Sequence, residues 1–235
     1  IMLSSIAIVV PAYNPPEFWD YRLVDKFNEL REKLPEYHFK LYVINDGSNP
    51  EIGEEHFAYI EEFFPTTLVL HNSINRGKGF ALRQAIARTK EDYIVYTDID
   101  MPFTIDSMKS IMDNLESYDV VFGIKNKAYY KQLSLQRKLV SKILQLFIKI
   151  LFPRLPVSDT QCGLKGMNLK GKAIFLQTKT DRYLFDLEFI LNAAKSKLTL
   201  KPIPVSLRPG IEFGQMNAKV LLHELFNLWK ILWRK

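Results

Sequence analysis

Tyr93-Ile94-Val95-Tyr96-Thr97-Asp98-Ile99-Asp100 is an apolar run of strand length that stops on two acids. Its branched and aromatic residues favour an extended, buried chain. The acids follow where the strand ends, so the neighbouring segments decide what they mean.

Those segments repeat one pattern. Toward the amino terminus, Ile6–Val10 is a short apolar run closed by Pro11, and Phe18–Leu34 has helical periodicity and stops at Pro35. Phe39–Ile44 reads as a strand ending in the turn sequence Asn45-Asp46-Gly47-Ser48, Glu51–Phe64 as a helix, and Thr67–Leu70 as a strand. Gly77–Arg88 reads as a helix with a glycine-rich start. Beyond the acids, Ile105–Leu115 is helical and Val120–Phe122 a strand. Strands alternating with helices over short connections predict an α/β fold with a mainly parallel sheet flanked by helices. In such sheets ligands gather at the carboxyl ends of the strands. Tyr13-Asn14, Asp46, the 72–78 segment and Asp98-Ile99-Asp100 all fall there.

The second half reads differently. Leu133–Phe152 is a long helix with basic residues interleaved, followed by a polar stretch at Ser158–Gly166. A helix near Phe185–Ala194, a strand near Thr199–Val205 and a helix from Ala218 complete the chain. The expected division is a domain over 1–217, with a first half at 1–123 and a second at 124–217, and an amphipathic helix at 218–235.

The 235 residues are 47% hydrophobic, enough for a sizeable core. The net charge of +6 suits phosphorylated ligands, anionic lipid or nucleic acid alike. Nucleic acid is disfavoured, because the basic residues do not gather with exposed aromatics into a recognised module. The one cysteine, Cys162, allows no intrachain disulfide and fits a reducing compartment or the cytoplasmic face of a membrane. Ile1–Val10 has no basic n-region and reads as a strand, and no segment is long and apolar enough to predict a membrane-spanning helix.

Two carboxylates two residues apart can converge if the backbone stays extended, and a pair with open positions suits Mg²⁺ or Mn²⁺. Asp98 and Asp100 are thus the candidate metal ligands; the alternative is a solvated turn or a helix cap at Asp100 or Thr104. Asn75-Arg76-Gly77-Lys78-Gly79 begins a helix, where glycines permit close backbone approach and the helix start favours anions. Lys78 can reach a phosphate or pair with an Asp. Tyr13 can cover the sheet edge, and Asp46 can form an Asx turn with Ser48.

Val9-Val10-Pro11-Ala12-Tyr13-Asn14, Asn45-Asp46-Gly47-Ser48, Asn75-Arg76-Gly77-Lys78-Gly79 and Asp98-Ile99-Asp100, in that order, resemble the family-two inverting glycosyltransferases of the GT-A fold. The resemblance implies a nucleotide-sugar donor held by Pro11, Ala12, Tyr13, Asn14, Asp46, Lys78 and Asp98, with Tyr13 and Asp46 at the base, Asp98 near the ribose or metal and Asp100 on the metal. A tyrosine can stack on a base, and a carboxylate can accept an N–H of uracil or guanine. Asp159-Thr160-Gln161-Cys162-Gly163-Leu164-Lys165, Phe185-Asp186-Leu187-Glu188 and Pro202-Ile203-Pro204-Val205 resemble the subgroup that moves a sugar onto polyprenyl or dolichyl phosphate, notably the dolichyl-phosphate glucosyltransferases. It implies that Asp159, Gln161 and Asp186 or Glu188 line the acceptor half. Two departures stand out. Gly123-Ile124-Lys125 lies where the family often has an Arg, so Lys125 is left to supply the charge. Met101-Pro102 lies where some relatives add a polar metal ligand.

A sugar hydroxyl needs a general base, whereas a lipid phosphate is already anionic and needs positive residues to hold it. Asp159, Asp186 and Glu188 are the candidate catalytic acids, either as a base and its orienter or as structural anchors. Residues 186 and 188 do not share a helix face, so at most one points into the cleft, and Asp186 is the one expected there. Lys125, Arg137 and Gln161 are the candidates for the acceptor phosphate. Leu139–Phe152 and Ala218–Lys235 are amphipathic, with Lys142, Gln145 and Lys149 in the first and Lys219, His223, Asn227, Lys230 and Arg234 in the second. Such helices pack on their own domain, lie in a headgroup region, or join copies into a homo-oligomer. The reading is a metal-dependent hexose transfer to a lipid phosphate, peripheral at a cytoplasmic membrane face. A saccharide acceptor and a non-catalytic nucleotide-sugar-binding module are the alternatives.

Overall fold

A computed structural model describes residues 4–211, apart from 154, 156 and 183. The expected helix over 218–235 lies outside the described residues. Strands β1 (Ser4–Ala12), β2 (Tyr37–Asp46), β3 (Leu68–Asn72), β4 (Tyr93–Tyr96), β5 (Val120–Lys125), β6 (Lys165–Met167) and β7 (Leu200–Val205) form one sheet in the order β3-β2-β1-β4-β6-β5-β7. β1, β2, β3 and β4 run parallel, as do β5 and β7, while β6 is antiparallel to both its neighbours, β4 and β5. The sheet is therefore mainly parallel with one reversed strand.

Period-2 alternation explains why β1 is apolar throughout. Ile6, Ile8 and Val10 face one core, and Ala7 and Val9 the other. Helices α1 (Trp19–Lys33), α2 (Glu54–Phe63) and α4 (Ile105–Asp113) cover the first face through residues such as Leu23, Phe57 and Ile111. Helices α3 (Lys78–Arg88), α7 (Leu169–Phe175) and α8 (Phe185–Lys195) cover the second through Leu82, Phe175 and Phe189. The short α5 (Lys127–Gln132) and α6 (Leu135–Leu151) follow β5, so the proposed boundary at 123/124 falls within that strand.

α6 packs on α8 through Ile148, with Phe152, Leu184, Leu187 and Leu191 in one small cluster. Among the described residues its other side is uncovered: Leu135, Leu139, Ile143, Leu146, Phe147 and Ile150 are exposed, Leu135 by 83% and Ile150 by 65%. Of the two contacts expected for this segment, packing on its own domain accounts for the face that carries Ile148. None of the described helices is long and apolar enough to cross a membrane.

Candidate active site

The strand ends bring the motifs together as expected, by different local means. β4 hydrogen-bonds beyond its last residue, with Thr97 N–H donating to Val9 O at 3.1 Å. The chain then leaves the extended conformation. Met101 N–H donates to Asp98 O at 2.9 Å, closing a turn over 98–101, and Met101 itself has φ 40° and is buried. The two acids thus belong to a tight turn and not to an extended segment. Their charges still meet: burial first and the Asp98 charge second raise the Asp100 carboxyl above its ordinary 3.8. The helix cap foreseen at Asp100 or Thr104 is at Thr104, which accepts from Ser107 N–H.

Lys78, the first residue of α3, pairs its ammonium with the Asp98 carboxylate. Lys26 donates to Asp100 O from α1. Gly163 lies against Asp98 so closely that a Cβ on it would sit 2.5 Å from Oδ2. Among the described residues no group of three or more His, Cys, Asp or Glu side chains could hold a metal alone. Two carboxylates in a turn fit a hard divalent ion that takes its other oxygens from phosphate and water. The Lys78 ammonium on Asp98 shows that the position accepts positive charge.

Asp46 is 2% exposed and accepts four hydrogen bonds. Asn72 Nδ2 and Arg76 N–H donate to Oδ1 at 2.9 and 3.1 Å, and Asn75 Nδ2 and Gly77 N–H donate to Oδ2 at 3.2 and 2.7 Å. The Asx turn to Ser48 comes from its neighbour instead, with Ser48 N–H donating to Asn45 Oδ1 at 3.0 Å. Asn14, at φ 43°, joins the β1 and β2 ends. Its N–H donates to Ser48 Oγ at 3.0 Å and its Oδ1 accepts from Asn49 N–H at 2.8 Å. Pro11 and Ala12 close β1, Ala12 fully buried, and Tyr13 follows with 53% of its surface exposed.

The glycine-rich start of α3 packs against the 181 backbone, the close approach that its glycines permit. Gly79 N–H donates to Asp181 O at 2.7 Å, and a Cβ on Gly77 (φ 108°) would lie 2.5 Å from the same oxygen. The anion beside Arg76 and Gly77 is Asp46. This crossing of the 180–182 segment was invisible in the local pattern, which shows only that something comes close.

Among the residues expected to line the acceptor, Asp159 is held by Lys125, through the Lys125 amide to Oδ2 at 2.7 Å and its ammonium to Oδ1 at 2.6 Å. Burial alone would lower the Lys125 pKa; Asp159 overrides it, and the pKa is raised. Gln161 Nε2 donates to Thr160 Oγ1 at 3.3 Å. Arg137, in the first turn of α6, lies near enough to the buried Tyr129 to act on it electrostatically. Asp186 and Glu188 are both buried and bonded within the fold. Asp186 Oδ1 accepts from Tyr96 Oη–H at 2.5 Å and lies 2.8 Å from Lys165 Nζ. Glu188 accepts from the amides of Lys179 and Thr180, the latter at 2.7 Å. Lys165 is the functional-site neighbour that the sequence reading passed over.

The fold and this rim define a GT-A glycosyltransferase: the pattern of the glycosyl transferase family 2 matches residues 7–170, and the chain belongs to that family. Its relatives include the dolichyl-phosphate beta-glucosyltransferases of Dictyostelium discoideum, 25% identical over 96% of this chain and 76% of theirs, and of Homo sapiens, 24% identical over 97% and 78%. Among solved structures, glucosyl-3-phosphoglycerate synthase of Mycobacterium tuberculosis, in complex with Mn²⁺, UDP and phosphoglyceric acid, superposes with a TM-score of 0.68 at 14% identity, covering 97% of this chain and 78% of that one. The mannosyltransferase PcManGT of Pyrobaculum calidifontis, in complex with GDP-Man and Mn²⁺, does so with a TM-score of 0.56 at 14% identity, covering 85% and 54%.

Proposed function

We propose that this glycosyltransferase moves a hexose from a UDP- or GDP-sugar, with inversion, onto a polyprenyl or dolichyl phosphate. The observation that carries this is the state of three acids that lie buried or partly buried. Asp159, Asp186 and Glu188 are each engaged by a cation or by backbone amides. An acceptor that arrives as an anion needs no base from them. The names of the curated relatives support the same acceptor class.

In this reading Asp98 and Asp100 seat Mg²⁺ or Mn²⁺, which when bound would neutralise the departing nucleoside diphosphate. Lys78 exchanges its bond to Asp98 for donor phosphate. Pro11, Ala12, Tyr13 and Asn14 border the nucleoside. Asp46 shapes that side by fixing the 75–77 turn, since its oxygens are already filled from within. Arg137, Gln161 and Lys125 border the acceptor phosphate, with Lys125 holding Asp159 in place.

The acceptor's lipid tail calls for a membrane surface, and the bare side of α6 suits one. Its apolar stripe is flanked by Lys142 and Lys149, both exposed, as expected of a helix lying among anionic headgroups. The protein would then work peripherally, at a cytoplasmic face. The test incubates the full chain with UDP-[¹⁴C]glucose or GDP-[¹⁴C]mannose, MnCl₂ and dolichyl phosphate in vesicles. Label in the organic-extractable lipid is expected, and loss of it with EDTA. Label confined to water-soluble product would instead favour a saccharide acceptor.

A further inference from the structure

The proposed transfer gives no task to Lys165, whose side chain has 0% exposure beside an Asp186 side chain with 7%. An ammonium buried this completely is unfavourable unless a counter-ion and hydrogen bonds surround it. Lys165 has both, and what they connect is specific. Its Nζ donates to Cys162 O at 2.6 Å, one residue before Gly163. Its partner Asp186 accepts from Tyr96 Oη–H, two residues before Asp98. Lys165 and Tyr96 are also register partners across β4 and β6. Three chain segments, the end of β4, the turn before β6 and the start of α8, thus meet on one ion pair. Two of them are the sides of the Gly163–Asp98 contact.

We infer that Lys165, with Asp186 and Tyr96, is a positioning residue for Asp98: it fixes the 162–164 turn as the wall against which that carboxylate is set. This rests on Asp98 and Asp100 being the cation seat. Asp186 then serves the reaction through geometry and not by taking a proton. Asn168, just after β6, donates to Asp119, just before β5, at 2.9 Å.

A single Lys165→Met change strands a buried carboxylate, so the test uses the double variant Lys165→Met/Asp186→Leu. Apolar replacement of a whole buried pair commonly preserves folding. Tyr96→Phe is the second variant; it removes only one hydroxyl. UDP and GDP are titrated into the full chain with MnCl₂ and with EDTA, and the tighter of the two is carried forward. The double variant is expected to lose roughly tenfold in affinity with Mn²⁺, and Tyr96→Phe roughly threefold, as fits a misplaced carboxylate. Affinity in EDTA should stay within about twofold, because uniform packing damage would lower both together. Unchanged Mn²⁺-dependent affinity in either folded variant overturns the assignment. So does a fall in kcat alone with loss of the acidic limb of its pH profile, the mark of a general base. If the unsubstituted chain binds neither nucleotide in a Mn²⁺-dependent way, the cation seat itself falls and takes this assignment with it.

Discussion

Lys125 grips Asp159 twice, by its backbone amide and by its ammonium, in a pair only 9% and 13% exposed. The grip anchors the far end of the segment whose near end carries Gly163. Lys125→Met leaves a largely buried carboxylate without its cation, and removal of one partner of such a pair costs about 3 kcal/mol. The urea midpoint should fall accordingly at unchanged slope. Lys125→Met/Asp159→Leu should recover most of the loss, yet not the transfer rate.

Asp46 is expected to act through structure. Asp46→Ala removes the acceptor of the buried Gly77 amide and of three further donors, so a loss of at least about 2 kcal/mol is expected in urea denaturation. Full stability combined with altered preference between UDP and GDP would instead assign the carboxylate to the base.

The sign of the Asp100 shift makes a pH prediction. Burial and then Asp98 hold its carboxyl above 3.8 when folded, so the folded chain binds that proton more tightly than the unfolded chain. The contribution of this carboxyl to metal-free stability is therefore fully present below pH 3.8 and is lost as pH rises through the raised folded value. Asp100→Asn removes the decline. Calorimetry without metal should show the variant gaining Tm relative to the unsubstituted chain at pH 7 more than at pH 4. The same variant should lose the Mn²⁺-dependent part of its nucleotide affinity.

Leu139 and Leu146 stand on the bare side of α6, 61% and 58% exposed. Leu139→Asp/Leu146→Asp should leave Tm nearly unchanged, since surface changes usually stay within about 0.5 kcal/mol. Cosedimentation with vesicles containing phosphatidylserine should fall severalfold. Retained cosedimentation would place the membrane contact elsewhere.

The sequence makes the parallel strands and their helices legible because each is a local pattern: a short apolar run, or a 3.6-residue stripe. β6 escapes, since Lys165-Gly166-Met167 is too short to show any period. α7 escapes for the same brevity. The rim motifs could be listed in advance as chemistry-bearing residues, but their partners could not. Tyr96 and Asp186 are ninety residues apart in sequence, and nothing local joins them. Asp98 and Asp100 illustrate both sides: their proximity is legible, while the Met101 turn that produces it depends on a buried side chain far from any pattern.

The reversal of β6 has an architectural consequence. Because it runs against β4 and β5, the chain that leaves β5 at Lys125 returns at Lys165 on the same edge, with Gly123 N–H donating to Leu164 O at 2.9 Å where the two strands meet. Residues 126–164 are therefore a single excursion with both feet planted together, like a handle on a jar. Between its anchored ends the length of this excursion can change without rethreading a single strand, so variation there is kept apart from the parallel strands.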